Sequence, residues 1–218
     1  MNKFFLAAAL AAATAFTSVA EKPVPLHYQR ASFFETVIPD TSSIVMLGNS
    51  LTHGCEWHEL LGMPNILNRG INGDTTQDIA NRLSSVTLGH PSKIFLLAGA
   101  NDVSHNLSAD SIATLVLGLV DRIRRETPTT QLYLQSLLPI NNSFGVYSRM
   151  KDKEQVIRDT NALLAKGAGE RGVPFINLYP LFCDENGNLR SDLTNDGLHL
   201  LGPGYLIWKE ALLPYLSR

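Results

Sequence analysis

The 218-residue chain has no strong excess of charge of either sign, because 18 Lys and Arg residues stand against 20 Asp and Glu residues. Nucleic acids and anionic membrane surfaces attract strongly basic proteins, so neither is favoured as a partner. The chain also lacks low-complexity tracts, internal repeats and the glycine-rich phosphate loops of nucleotide-binding proteins. We therefore expect no nucleotide cofactor.

The first apolar run, residues 4–16, is shorter than the roughly 20 residues that a membrane-spanning helix needs. It follows Lys3 and precedes Ser18-Val19-Ala20, where small residues occupy the positions that determine signal cleavage. This pattern predicts a secretory signal peptide over residues 1–20, cut after Ala20. No cysteine follows the run, so no lipoprotein anchor is expected. We predict an exported protein, periplasmic or extracellular, without a stable membrane anchor; a buried N-terminal helix is the alternative.

Cysteine is scarce as well, with only Cys55 and Cys183 in the chain. An oxidising compartment permits a disulfide, which would join two loops near the polar residues described below. A bridge requires Cα atoms within about 7 Å of each other, which spacing along the chain does not determine. Two separate, partly buried thiols are favoured, and the disulfide is the alternative.

Five short apolar runs alternate with helical patterns along residues 21–218. The predicted strands are Ile44–Leu47, Asn65–Gly70, Lys93–Ala98, Gln131–Leu138 and Val173–Leu178. Helices are predicted over residues 77–86, after an N-cap at Ser108, over residues 151–166 and from Pro203 onwards. Apolar strands alternating with helices indicate βαβ units, so we predict one doubly wound α/β domain with a five-stranded parallel sheet covered on both faces.

Polar turns follow the first three predicted strands. They are Gly48-Asn49-Ser50, the segment from Gly70 to Asp74, and the segment from Gly99 to Asp102. The carboxyl ends of parallel strands lie at one edge of a sheet, so these turns are expected to meet in one crevice. Glycine lets each turn bend sharply and expose backbone N–H groups.

A histidine and an acid, His199 and Asp196, lie three residues apart just before the last predicted helix. A serine hydroxyl becomes a useful nucleophile when a histidine takes its proton, and a carboxylate on the other ring nitrogen orients that histidine. Ser50, His199 and Asp196 can fill these roles. The backbone N–H groups of Ser50 and Gly73 and the Asn101 amide can supply an oxyanion hole.

These four blocks, in this order, resemble those of the SGNH hydrolases, the GDSL esterase/lipase family. The blocks are Gly48 to Leu51, Gly70 to Thr75, Gly99 to Asp102 and Asp196 to His199. The longer segments 68–76 and 196–205 look most like the branch around the platelet-activating-factor acetylhydrolase catalytic subunits, near bacterial carbohydrate O-acetylesterases. The resemblance implies a flavodoxin-like three-layer fold and no metal. It also implies Ser50 as nucleophile, the Asp196/His199 pair as base, and Gly73 and Asn101 as oxyanion donors.

One position departs from the family pattern, since Asn49 stands where Asp usually precedes the serine. Asn keeps an acceptor oxygen and loses the charge, so activity is expected to survive. Two simpler interpretations also exist: Ser50 as a helix cap and Asn101 bonded to its own loop. Asp74 and Asp102 are expected to brace loops and not to be catalytic.

A second group of polar residues, His53, Glu56 and His58, could indicate a metal site. Its spacing does not match the HExxH arrangement and no distant third ligand is evident, so no metal is expected. His53 is expected on a solvated helix surface, and contact with substrate is its alternative role.

The prediction is thus a secreted serine esterase that releases a short acyl group, acetyl above all, from a carbohydrate or related small ester. A lysophospholipase or thioesterase acting on longer chains is the second enzymatic hypothesis. A non-catalytic carbohydrate-binding protein with the same fold is the hypothesis from another class. The sequence does not determine the substrate's identity or the oligomeric state.

Overall fold

A computed structural model describes residues 25–216. The predicted signal peptide, residues 1–20, lies outside this range. Among the helices of residues 25–216, none combines the length and apolar character required to cross a bilayer.

The described chain alternates strands and helices. The strands are β1 (Ile44–Gly48), β2 (Ile66–Gly70), β3 (Lys93–Leu97), β4 (Gln131–Gln135) and β5 (Phe175–Ile176). The helices are α1 (Pro25–Thr36), α2 (Ser50–His53), α3 (Trp57–Leu61), α4 (Thr76–Asn81), α5 (Ser84–Thr87), α6 (Ala100–Ser104), α7 (Ala109–Glu126), α8 (Glu154–Glu170), α9 (Tyr179–Phe182) and α10 (Gly202–Leu216). Three short 3₁₀ turns occupy Asn142–Phe144, Ser148–Met150 and Ser191–Leu193.

All five strands are parallel and lie in the order β2-β1-β3-β4-β5. This is the flavodoxin-like order, and it confirms the predicted doubly wound α/β fold. The strand order reverses between β1 and β3, which leaves a crevice beyond their carboxyl ends. Ser50 lies two residues after the end of β1, and Asn101 lies shortly after β3, so both lie beside this crevice.

Both faces of the sheet are buried under helices, which explains the unbroken apolar strands. Side chains of one strand alternate between the two faces: Val45 and Leu47 join one core cluster, whereas Ile44 and Met46 join the other. Helices α4, α5, α7 and α8 contribute to the first cluster. Helices α2, α3, α9 and α10 contribute to the second, where Trp57 packs edge-to-face on Trp208.

Three predicted elements were wrong in extent. The predicted helix 77–86 is broken into α4 and α5 at Arg82, where the chain turns and the guanidinium reaches Asp74 Oδ2 at 2.7 Å and the Gly48 carbonyl at 3.0 Å. The fourth strand stops at Gln135, because Asn161 bonds both the N–H and the carbonyl of Leu137 in place of a strand neighbour.

The fifth strand has only two residues instead of six. Pro174 has no N–H for a neighbouring strand. Beyond the strand, the Leu178 N–H turns to the side-chain oxygen of Ser136, 2.9 Å away. Between β5 and α10 the chain forms α9 and the 3₁₀ turn Ser191–Leu193.

Candidate active site

Ser50 is the first residue of α2, at the carboxyl end of the buried strand β1. The cap of this helix is Asn49, whose Oδ1 accepts the Leu51 N–H at 3.1 Å. The interpretation of Ser50 as a helix cap is therefore wrong, and its hydroxyl points elsewhere. Ser50 Oγ lies 2.9 Å from His199 Nε2.

His199 and Asp196 lie on the segment between the last 3₁₀ turn and α10. His199 Nδ1 is 2.8 Å from Asp196 Oδ2. An ionised carboxylate only accepts hydrogen bonds, so Nδ1 carries the ring proton and Nε2 presents its lone pair to the Ser50 hydroxyl. This tautomer is the one in which the histidine can take a proton from the serine.

The Asp196 carboxylate is held by several donors. Its Oδ1 accepts the backbone N–H groups of Leu198 and His199 at 2.9 and 2.8 Å. Partial burial raises the pKa of Asp196, but these bonds and the His199 ring outweigh burial, so the pKa lies below its ordinary value. Asp196 is consequently ionised at neutral pH, as the assigned tautomer requires.

Three N–H donors border the same cleft: the backbone N–H groups of Ser50 and Gly73 and the Asn101 side-chain amide. Within residues 25–216 neither backbone N–H donates to a protein acceptor. Gly73 has φ +84°, and a side chain there would meet open space, so glycine serves the backbone conformation. Asn101 gives one amide hydrogen to the Asp74 carbonyl at 2.8 Å, which orients its second hydrogen.

Asp74 and Asp102 brace the loops behind these donors, as predicted. Asp102 accepts the backbone N–H of Thr76 at 3.0 Å and its hydroxyl at 3.1 Å, which fixes the start of α4. Asp74 pairs with the buried Arg82 and lies 2.8 Å from His27 of α1. Both carboxylates therefore support the donor loops from outside the cleft.

The cleft that contains these groups has a volume of about 750 Å³ and is open to solvent. Its walls come from the ends of β1, β2 and β3, from the segment around His199, and from the loop between β4 and α8. Polar or charged lining side chains include Asn72, Ser104, His105, Ser148 and Arg149.

The second polar group does not form a site. His53 does not line the cleft; it is half-buried at the end of α2, where burial and then the nearby Arg30 lower its pKa. His58 lies at the surface, 3.9 Å from Glu59. Within the described part of the chain, no group of three or more His, Cys, Asp or Glu side chains could hold a metal ion.

Both cysteines are free thiols, which is the alternative favoured by the sequence. Cys55 is buried in the core cluster beside Trp57, and burial raises the pKa of its thiol to about 12. Cys183 is half-buried and directs its sulfur to the Tyr179 carbonyl at 3.3 Å. Neither thiol lines the cleft.

One residue of the site, Tyr147, was not predicted from the sequence. The hydroxyl of Tyr147, in the loop between β4 and α8, lies 3.2 Å from Asp196 Oδ2 and 3.1 Å from His199 Nδ1. The only sequence signal was the polar, glycine-containing character of this loop, which does not point to a single side chain.

The fold and the site define a class: three-layer α/β proteins in which a serine, a histidine and an aspartate meet beside unpaired N–H donors at the crevice of a parallel sheet. The chain belongs to the GDSL-like Lipase/Acylhydrolase family, whose profile matches residues 46–207. It is accordingly an acylhydrolase, and the predicted SGNH membership is confirmed.

Individual relatives agree with this membership. The chain is 30% identical to the platelet-activating factor acetylhydrolase IB subunit alpha1 of Rattus norvegicus, over 80% of this chain and 75% of that protein. It is 33% identical to the isoamyl acetate-hydrolyzing esterase of Saccharomyces cerevisiae, over 46% of this chain and 37% of that protein. A solved structure from Streptococcus pneumonia, described as a platelet activating factor, superposes with a TM-score of 0.79 at 25% identity, covering 88% of this chain and 93% of that one.

Proposed function

We propose that the protein is an exported serine esterase that hydrolyses short-acyl esters, acetyl above all, of carbohydrates or related small molecules. The observation that carries this proposal is the hydrogen-bonded series Ser50–His199–Asp196, with joining distances of 2.9 and 2.8 Å. The series opens into a cleft bordered by three N–H donors. This is the set of parts that acyl transfer through a serine requires.

The reaction has two halves. His199 Nε2 takes the proton of Ser50 while Oγ attacks the ester carbonyl, and the N–H groups of Ser50, Gly73 and Asn101 stabilise the resulting oxyanion. The intermediate collapses, the imidazolium gives its proton to the leaving alcohol, and the acyl group stays on Ser50. Water, deprotonated by His199, then releases the acid and restores the serine. Asp196 stabilises the imidazolium in both halves.

The substrate class is supported by the relatives and by the cleft. Two relatives are named for the hydrolysis of acetyl groups. One is a subunit of a platelet-activating factor acetylhydrolase, and the other is an isoamyl acetate-hydrolyzing esterase. The cleft wall includes polar side chains, such as Asn72 and Arg149, that can bind the hydroxyl groups of a polar alcohol part, beside apolar ones such as Met150. A short acyl group on a polar alcohol satisfies both observations.

A chain-length profile with p-nitrophenyl esters tests the acyl preference. We expect kcat/KM to be highest for acetate or propionate and to fall steadily towards longer chains. An optimum at C8–C12 would instead identify a lysophospholipase or thioesterase. O-acetylated glycans and lysophospholipids, assayed in parallel, identify the alcohol part.

The serine mechanism is tested by the Ser50→Ala variant and by a fluorophosphonate that labels activated serines. We expect labelling of the wild type, no labelling of the variant, and a fall in kcat of at least about 10⁴-fold. Unlabelled but folded wild-type protein would refute the mechanism and favour a non-catalytic binding protein.

Export rests on the pattern of residues 1–20. N-terminal sequencing of the protein expressed from the full chain in a secreting host tests it. A mature protein that begins at Glu21 is the expected result, and a cell-associated protein that retains residue 1 would contradict it.

A further inference from the structure

The hydroxyl of Tyr147 meets the catalytic candidates at a point that the family blocks do not include. It lies 3.2 Å from Asp196 Oδ2, the same oxygen that His199 Nδ1 approaches at 2.8 Å. The Tyr147 and His199 rings also pack edge-to-face, with centroids 5.4 Å apart and planes at 71°. One side chain thus contacts both members of the acid–imidazole pair.

The direction of the Tyr147 hydrogen bond follows from the tautomer. His199 Nδ1 carries a proton and gives it to Asp196 Oδ2, so it cannot accept from Tyr147. The phenol must therefore donate to Oδ2. Partial burial and the neighbouring Asp196 charge raise the pKa of Tyr147, which keeps the phenol protonated and able to donate.

The loop that carries Tyr147 is tied to the segment that carries Asp196 and His199. The Asn141 N–H donates to the Gly197 carbonyl at 2.8 Å, and the Asn141 amide donates to the Leu189 carbonyl at 2.8 Å. A side chain at Gly197 would overlap the Asn141 carbonyl, so the two segments lie in backbone contact there. These contacts hold the loop that carries Tyr147 in place beside the segment that carries Asp196 and His199.

We propose that Tyr147 is a positioning residue of the esterase: its hydroxyl holds Asp196 and His199 in register and withdraws part of the carboxylate charge from the imidazole. This proposal rests on the proposed serine mechanism. Tyr147 also lines both the active-site cleft and an adjacent pocket of about 240 Å³ that reaches Asp196.

Loss of the Tyr147 hydroxyl should also change the pH dependence of the reaction. With the phenol bond removed, Asp196 Oδ2 directs more negative charge at the imidazolium, which becomes more stable. The acidic limb of kcat/KM is therefore expected at higher pH in the variant. The other titratable or charged side chains that line the cleft stay unchanged in this comparison. They are His105 directly after α6, Arg149 in the loop that carries Tyr147, and Tyr205 on α10.

The test compares Tyr147→Phe with a matched control, Tyr28→Phe. Tyr147→Phe removes one hydroxyl and keeps the ring, whereas Tyr28 is 64% exposed on α1 and away from the cleft. For Tyr147→Phe on p-nitrophenyl acetate we expect kcat to fall about three- to tenfold with little change in KM. The acidic limb of kcat/KM should move to higher pH. The control should match the wild type in both.

A spectroscopic readout distinguishes positioning from a general effect on the fold. The NMR resonance of the proton shared by His199 Nδ1 and Asp196 should move in Tyr147→Phe and stay in place in Tyr28→Phe. An unchanged resonance together with an unchanged pH profile overturns the proposal. If wild-type protein neither hydrolyses esters nor reacts with the fluorophosphonate, the serine mechanism itself fails, which is a separate outcome.

Discussion

At the scale of single residues, Asn49 is the position that departs from the usual family pattern. Its side chain is 1% exposed, and Oδ1 caps α2 by accepting the Leu51 N–H. Nδ2 has no hydrogen-bond partner within residues 25–216. The contact that shapes the serine turn is thus made by the oxygen, which an aspartate would also provide.

We predict that Asn49→Asp keeps activity within about threefold of the wild type, because the acceptor oxygen remains. Asn49→Ala removes the cap and should lower the free energy of unfolding by about 1 kcal/mol, with a fall in kcat as the turn around Ser50 loosens. Urea denaturation and p-nitrophenyl acetate kinetics measure both. An inactive Asn49→Asp would show that the amide nitrogen is needed.

At the scale of elements, two glycines at the end of β2 and in the loop after it have different functions. A Cβ at Gly70 would overlap backbone atoms of His53 and Asn49, so Gly70 allows β2 to lie close against α2. A Cβ at Gly73 would meet nothing within 4 Å, but its φ of +84° is one that other residues rarely adopt. Gly70 serves packing, and Gly73 serves backbone conformation.

We predict that Gly70→Ala costs about 1–3 kcal/mol of stability, because backbone atoms cannot move aside as a flexible side chain can. Gly73→Ala should lower the free energy of unfolding by about 1 kcal/mol. It should nevertheless reduce kcat more than Gly70→Ala does, because the Gly73 N–H borders the cleft. Thermal unfolding and kinetics of the two variants side by side test this. Equal ratios of activity loss to stability loss would contradict the distinction.

At the scale of the whole molecule, buried charges connect α1, the sheet and the donor loop. Arg82 bonds Asp74 Oδ2 at 2.7 Å and the carbonyls of Gly48 and Arg69 at 3.0 Å each. The guanidiniums of Arg30, Arg69 and Arg82 surround the ring of Phe34, a buried residue of α1. The loop that carries Gly73 and Asp74 is therefore held by the same cluster of buried charges that packs against α1.

We predict that Arg82→Met lowers the free energy of unfolding by about 3–5 kcal/mol, because it leaves the Asp74 carboxylate buried without its main partner. The double variant Arg82→Met/Asp74→Asn should cost less than the sum of the single variants. The exposed Arg124, changed to Met, is the matched control and should cost less than about 0.5 kcal/mol. Strictly additive costs in urea denaturation would argue against a coupled pair.

Much of the fold was accessible from the sequence because its signals are local. An apolar run such as Ile44–Leu47 can satisfy its backbone only as a strand buried on both faces, and the i, i+4 pattern after Ser108 can bury its apolar face only as a helix. The break at Arg82 and the early end of β4 were not accessible from local patterns. They depend on the contact of Arg82 with the Gly48 carbonyl and of Leu137 with Asn161, which are 34 and 24 residues apart in the chain.

The residues of the candidate site likewise fall into those with a local sequence signal and one without. Glycine turns at strand ends and the Asp–His spacing are local signals, and they predicted Ser50, Gly73, Asn101, Asp196 and His199. The structure brings four of these residues to one cleft and bonds the fifth, Asp196, to the His199 ring. Tyr147 was not predicted, because a tyrosine in a polar loop has no local signal.

The sequence by itself determined the succession of strands and helices along the chain and the residues that meet at the sheet's carboxyl edge. It also determined membership in the acylhydrolase family. Each of these is encoded in short patterns of residue type and spacing. Only the tertiary structure decided that the Ser50 hydroxyl meets His199, that both cysteines are free, and that Tyr147 reaches Asp196. These depend on distances between segments far apart in the chain, and folding alone sets those distances.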